Sequence, residues 1–246
     1  MKSFWLAWQF LTRLPAPVYQ QVSEKEIGHS QIYYPLVGLI IGGLMYGLAL
    51  LLQHTALSQV VSAALLLLMW VAVSGALHLD GLADIADAWV GGQGDRERAL
   101  NIMKDPVSGP MGVTALVLLL LLKVALLQQL LGTDIMALIL IPALARAQVP
   151  LLFMSMPYLR TVGLGKALAE HLPRWSVMLS WLLLMLLACY LLGLTALWLL
   201  LSMLAVMLIL RYLYISRFGG LTGDMVGAAI EVVETILLLT LLLLNV

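Results

Sequence analysis

The chain has 246 residues, of which 63% are hydrophobic and 11% charged, and its mean hydropathy is +1.03. A soluble domain is about half apolar and a quarter charged, so a water-soluble globule is excluded. Thirteen Lys and Arg balance thirteen Asp and Glu, which removes the basic surface that nucleic acid needs in a partner, and the lone Cys189 leaves neither a disulfide framework nor a cysteine metal site.

Residues 1–14 carry Phe4, Trp8 and Leu11 at helical spacing beside Lys2 and Trp5. Gln9 and Arg13 interrupt the apolar run and no small-residue cleavage pattern follows. The segment reads as an amphipathic helix in the membrane interface rather than a signal peptide, within an interfacial and cytoplasmic stretch 1–31. Apolar blocks then recur at roughly 32–53, 57–79, 110–131, 134–156, 176–193, 195–215 and 225–244, each about the twenty residues a bilayer needs. Three hairpins are short: Gln53-His54-Thr55, Gly132-Thr133-Asp134 and Gly193-Leu194-Thr195. They contain no Lys or Arg. All the basic residues except Lys123 and Arg146 fall at the N-terminus or in the longer connections. By the positive-inside rule the N-terminus and long connections face the cytoplasm and the C-terminus faces outward, an alternation that seven spans close. The expected fold is all-α: one polytopic integral membrane domain over 1–246, with about seven transmembrane helices, an N-terminal interfacial helix and the lipid bilayer around it.

Acidic residues are costly in such a chain, so their places are informative. Asp80, Asp84 and Asp87 follow His78 at the end of the second block, in His-Leu-Asp-Gly-Leu-Ala-Asp-Ile-Ala-Asp. Offsets of four and seven put the three carboxylates on one helical stripe, where they repel one another. Hard carboxylate oxygens gathered in this way suit Mg²⁺, which takes one or two carboxylates together with water and substrate phosphates. The plainer alternative is a solvated helix end interacting with Arg96 and Arg98. A second stripe, Asp224, Glu231 and Glu234, enters the last block through Gly219-Gly220-Leu221-Thr222-Gly223. Both stripes are expected on the cytoplasmic side, where they converge on shared metal. For Glu231 and Glu234 an ion pair with Lys123 or Arg146, the two basic residues inside spans, stands open beside metal coordination.

Between the stripes lies a glycine-spaced loop with Arg96, Arg98, Lys104 and Asp105, cations that suit a phosphate-bearing ligand next to an acidic metal site. It lacks the Gly-Lys-Ser/Thr ending of a P-loop, which argues against ATP-driven pumping. His78 is placed as a neighbouring hydrogen-bonding group, and Arg13 with the Tyr34-Pro35-Leu36-Val37-Gly38 entry to the first span is placed to line the same opening or to anchor the chain at the interface. No zinc spacing or hydrolase triad occurs.

The ordered motifs Phe-Leu-Thr-Arg-Leu-Pro, Tyr-Pro-Leu-Val-Gly, His-Leu-Asp-Gly-Leu-Ala-Asp-x-x-Asp, Met-x-Asp-x-x-x-Gly-x-x-Gly and Gly-Gly-x-Thr-Gly-Asp-x-x-Gly-Ala-x-x-Glu resemble the cobalamin synthase family, the adenosylcobinamide-GDP ribazoletransferases, over essentially the whole chain. The resemblance implies a Mg²⁺-dependent transferase of the bacterial inner membrane with its site facing the cytoplasm. It would join adenosylcobinamide-GDP to α-ribazole or its 5′-phosphate and release GMP in the last steps of vitamin B12 assembly. Asp80, Asp84, Asp87, Asp224 and Glu231 would then hold metal, and Asp84 or Asp87 would take the proton of the attacking hydroxyl. Arg13, His78, Arg96, Arg98, Lys104, Asp105, Lys123, Arg146 and Glu234 would line the substrates. A homo-oligomer or a complex with other cobalamin-assembly enzymes is compatible with this. Two other readings stand beside it: a transporter with Lys123, Arg146, Glu231 and Glu234 as a buried charge relay, and a membrane scaffold whose acids are docking charges.

Overall fold

The computed structural model describes residues 1–133 and 135–244. In chain order the helices are α1 (Lys2–Leu11), α2 (Glu24–Ser30), α3 (Tyr34–Gln53), α4 (Gln59–Ser74), α5 (Leu77–Gly91), α6 (Arg96–Ile102), α7 (Pro110–Leu130), α8 (Ile141–Ser155), α9 (Leu164–Glu170), α10 (Arg174–Leu192), α11 (Leu194–Phe218) and α12 (Gly223–Leu244), with 3₁₀ turns at Gln31–Tyr33 and Ile135–Ile139. The fold is all-α, as the composition implies. Asp134, expected at the head of the fourth span and in the second hairpin, lies outside the described residues.

Six helical stretches are long and apolar enough to cross a bilayer, and a seventh is reached only if α4 and α5 count as one span bent by 90°. That bend corrects the expected second span, which ran straight on to residue 79. Gly75 and Ala76 both take left-handed backbone, with φ of 65° and 56°, so the helix cannot continue through them. The Ala76 amide closes back on the Val71 carbonyl at 3.2 Å, a helix-ending loop of the kind glycine favours. Ala76 bears a strain of about 1 kcal/mol for that conformation. The chain following α1 seals the corner: the Arg13 amide donates to the Val73 carbonyl at 2.8 Å, and the Arg13 side chain lies where a Cβ on Gly75 would point. His78 and the three aspartates therefore ride on a separate helix that leaves α4 sideways.

Burial sorts the long helices into two classes. The stretches Ile135–Ser155 and Gly223–Leu244 are 83% and 72% buried, against 22% for α7, α10 and α11. Small residues explain the first class, since Ala143, Ala145 and Ala147 on α8 let neighbouring backbones come close. The outer class instead exposes Leu179, Leu183, Leu186 and Tyr190 on α10 and Leu201, Leu208 and Ile209 on α11, an apolar girdle that lipid can cover. The chain is thus a membrane protein. At its centre α12 packs against α5, α7, α8 and α11. Its crossing with α5 needs glycine twice: a Cβ on Gly81 would lie 2.5 Å from the Asp224 carbonyl oxygen, and one on Gly227 would lie 3.1 Å from the His78 Cα. The α5–α12 crossing is what brings Asp224 to the first acidic stripe.

Candidate functional site

At that crossing Asp80, Asp84 and Asp87 of α5 meet Asp224, in the first turn of α12. Asp84 lies in the field of Asp224, Asp80 and Asp87, with Arg160 as the opposing cation. Arg160 and Asp224 form an ion pair at 2.5 Å. No hydrogen bond or ion pair reaches the Asp80 or Asp84 carboxylate among the described residues. Asp87 differs: its carboxylate accepts from the amides of Gly109 at 2.6 Å, Gly112 at 2.9 Å and Met111 at 3.1 Å. It caps the start of α7, the end of a helix where unpaired N–H groups and the helix dipole favour an anion. That use competes with the metal and base roles expected of Asp87.

Carboxylates gathered in a cleft are donors of the kind Mg²⁺ takes, so Asp80 and Asp84, which have no partner, and Asp224, which has only the partly exposed Arg160, fit the ion in chemistry. They are not drawn together into a ready cage. Among the described residues the one trio whose ligand atoms lie within 4.8 Å of one another is Glu24, Glu170 and His171, all exposed and remote in sequence from the aspartates.

Arg160 was absent from the expected site. It is held beside α12 by a short parallel pairing in which the Leu159 amide donates to the Leu221 carbonyl and the Leu221 amide to the Pro157 carbonyl, both at 2.9 Å. With Lys104, Thr161 and Thr222 it borders a cavity of about 370 Å³, a cationic recess beside the acids. Burial holds the nearby Tyr158 phenol above its ordinary value, leaving a neutral donor at pH 7. Lys104 thus reaches the site, while Arg96, Arg98 and Asp105 line neither this recess nor the cavity described next. The Arg96 guanidinium packs over Gly219, Arg98 is exposed, and Asp105 accepts from the Val107 amide at 3.0 Å within its own loop. On the other side of Asp224 a larger cavity of about 490 Å³ is bordered by Asp80, Asp224, Arg13, His78 and Tyr34.

Glu231 and Glu234 do not join the aspartates. Seven residues along α12 carry Glu231 about 10 Å from Asp224, into a buried cluster where its Oε2 accepts from Lys123 Nζ at 2.6 Å. Glu234 accepts from Lys123 at 2.8 Å and from Arg146 at 2.7 Å. The Lys123 ammonium also sits 4.5 Å above the Trp70 ring, and Arg146 further donates to the Pro142 carbonyl at 3.0 Å. This is the ion-pair alternative for the second stripe, and it corrects the placement of Glu231 with the aspartates of the cleft. Lys123, Arg146 and Glu234 join α7, α8 and α12 in the same cluster and border neither cavity. His78 stands between the two groups, buried against Gly227 and bordering the larger cavity.

Fold and site together define a polytopic helical membrane protein with an aspartate cleft flanked by cations, suited to a phosphate-bearing ligand. The model of one family, cobalamin-5-phosphate synthase, matches residues 3–242, and the chain belongs to that family. Relatives include an adenosylcobinamide-GDP ribazoletransferase of Pseudomonas putida (strain F1), 51% identical over 245 residues that make up 99% of each chain. Others with that name, from Pseudomonas paraeruginosa (strain PA7) and Pseudomonas aeruginosa (strain PAO1), are 50% and 49% identical over 99% of this chain and 98% of theirs. No solved structure matches the chain.

Proposed function

We propose that this chain transfers the adenosylcobinamide phosphate group from adenosylcobinamide-GDP to α-ribazole or its 5′-phosphate, releasing GMP. Besides family membership, the observation that carries the reading is the meeting of partnerless Asp80 and Asp84 with the Arg160–Asp224 pair at one cleft. Arg160 and Lys104 bind phosphate oxygens of the donor. Asp84 takes the proton of the acceptor hydroxyl as its oxygen bonds to the cobinamide-side phosphorus and the bond to the GMP oxygen breaks. Asp87, occupied in the helix cap, positions the loop before α7. Asp80, Asp84 and Asp224 would hold Mg²⁺, which when bound supplies positive charge to the diphosphate. The cleft faces the cytoplasm, a reading that the distribution of Lys and Arg supports, and the protein resides in the bacterial inner membrane.

The test is incubation of the purified, detergent-solubilised chain with adenosylcobinamide-GDP and α-ribazole, with Mg²⁺ or with EDTA. GMP is expected with Mg²⁺ and not with EDTA. No GMP under either condition defeats the transfer, and equal release under both defeats the metal requirement. No observation favours the transporter reading, because the charges in the buried cluster face one another within a single layer.

A further inference from the structure

The larger cavity has a composition that phosphate binding does not explain. Phe10, Leu77, Leu168 and Ile230 give it apolar walls, and the rings of Phe10 and Tyr34 stack at 6.0 Å with 14° between their planes. Yet two residues that border it each carry a buried polar atom that makes no well-formed hydrogen bond, the Tyr34 hydroxyl, which lies near the Ser30 side chain, and His78 Nδ1, on side chains 0% and 5% exposed. Each such atom costs about 1–3 kcal/mol when its hydrogen bond is left unmade, so the pair answers to something that enters. A volume of about 490 Å³ suits a small organic ligand and is far too small for a corrin macrocycle with its amide arms.

We propose that this cavity is the acceptor subsite: it takes a planar apolar base with a free ring nitrogen and leaves the attached ribose at Asp80 and Asp224. The proposal rests on the transfer reaction above and names which substrate occupies which recess. The α12 backbone runs along the wall from Gly223 to Ile230, about 10 Å at 1.5 Å per residue, so the acids stand at one end and an apolar wall lies beyond them. Tyr34 donates to the ring nitrogen, and His78 Nδ1 donates or accepts according to its tautomer. The neighbouring recess with Lys104 and Arg160 is cationic and takes phosphate, so the two recesses sort the substrates by chemistry. Asp224 borders the first and pairs with the arginine of the second. A lipid acyl chain, the rival occupant, would satisfy neither Tyr34 nor His78.

The test measures equilibrium binding of α-ribazole to the full chain in detergent, with no donor present, for the wild type, Tyr34→Phe and Leu168→Trp. Tyr34→Phe removes one hydroxyl and is expected to weaken binding about five- to tenfold, the worth of one hydrogen bond. Leu168→Trp fills the cavity and is expected to weaken it at least about tenfold. KM for the donor should stay unchanged in both. Absence of wild-type binding, or equal binding by wild type and Tyr34→Phe, overturns the proposal. That isosteric variant decides the matter even if Leu168→Trp does not fold. Tyr34-dependent binding without any GMP release would defeat the transfer reaction and support the subsite, whereas GMP release with binding indifferent to Tyr34 would defeat the subsite alone.

Discussion

Asp224 and Glu231 stand on the same helix, two turns apart, and have opposite fates. Asp224 sits at a cleft beside the partnerless Asp80 and Asp84 and has one partly exposed arginine as its counter-ion. Glu231 is 5% exposed and shares a lysine with Glu234, which in turn holds an arginine. The difference teaches how to read acid in an apolar chain. A carboxylate deep in the bundle persists because buried counter-ions neutralise it, whereas one at the cleft keeps a single, partly exposed counter-ion.

Substitution should separate the two groups. Asp84→Asn removes a carboxylate with no structural partner, so turnover should fall by about 10²–10⁴ with the unfolding temperature unchanged; measuring both on one preparation breaks the comparison if stability falls instead. Lys123→Met leaves the buried Glu231 carboxylate uncompensated, and Glu234 with Arg146 alone, and should cost about 3–5 kcal/mol of stability, read by thermal unfolding in detergent. Adding Glu231→Gln to that variant should recover part of the loss, and no recovery would mean that the pair is not the stabilising unit. Asp87→Ala removes the α7 cap and should cost about 1–2 kcal/mol. An unchanged unfolding temperature with abolished turnover would return Asp87 to the reacting carboxylates. Arg160→Gln breaks a pair that is 39% exposed on the arginine side, so its stability cost should stay under about 1 kcal/mol while KM for the donor rises.

Much of this was legible in the sequence because the signals are local. Hydropathy gives the long helices to within a few residues except for the second block, which breaks at Gly75 and Ala76, and offsets of four and seven place Asp80, Asp84 and Asp87 on one stripe. The Ser23–Glu26 capping box that starts α2 is equally local, a Ser-x-x-Glu pattern inside the stretch 1–31. Other features depend on contacts that no local pattern records. Arg160 reaches Asp224 across 64 residues, through a backbone pairing that neither segment announces. The bend after α4 needs an alanine, not only a glycine, in left-handed backbone, which alanine's propensity argues against. The cap of α7 is supplied by Asp87, 22 residues before Gly109, so a search for capping residues next to the helix cannot find it.

The wall around the larger cavity combines Phe10 and Arg13 with Asp224 and Ile230 of α12, which a ribosome makes about two hundred residues later. A nascent protein therefore possesses no such chamber until translation has delivered α12 and the membrane has received it. Partly inserted intermediates, however long they linger, cannot sequester an acceptor there, and the compartment comes into being only with the finished bundle.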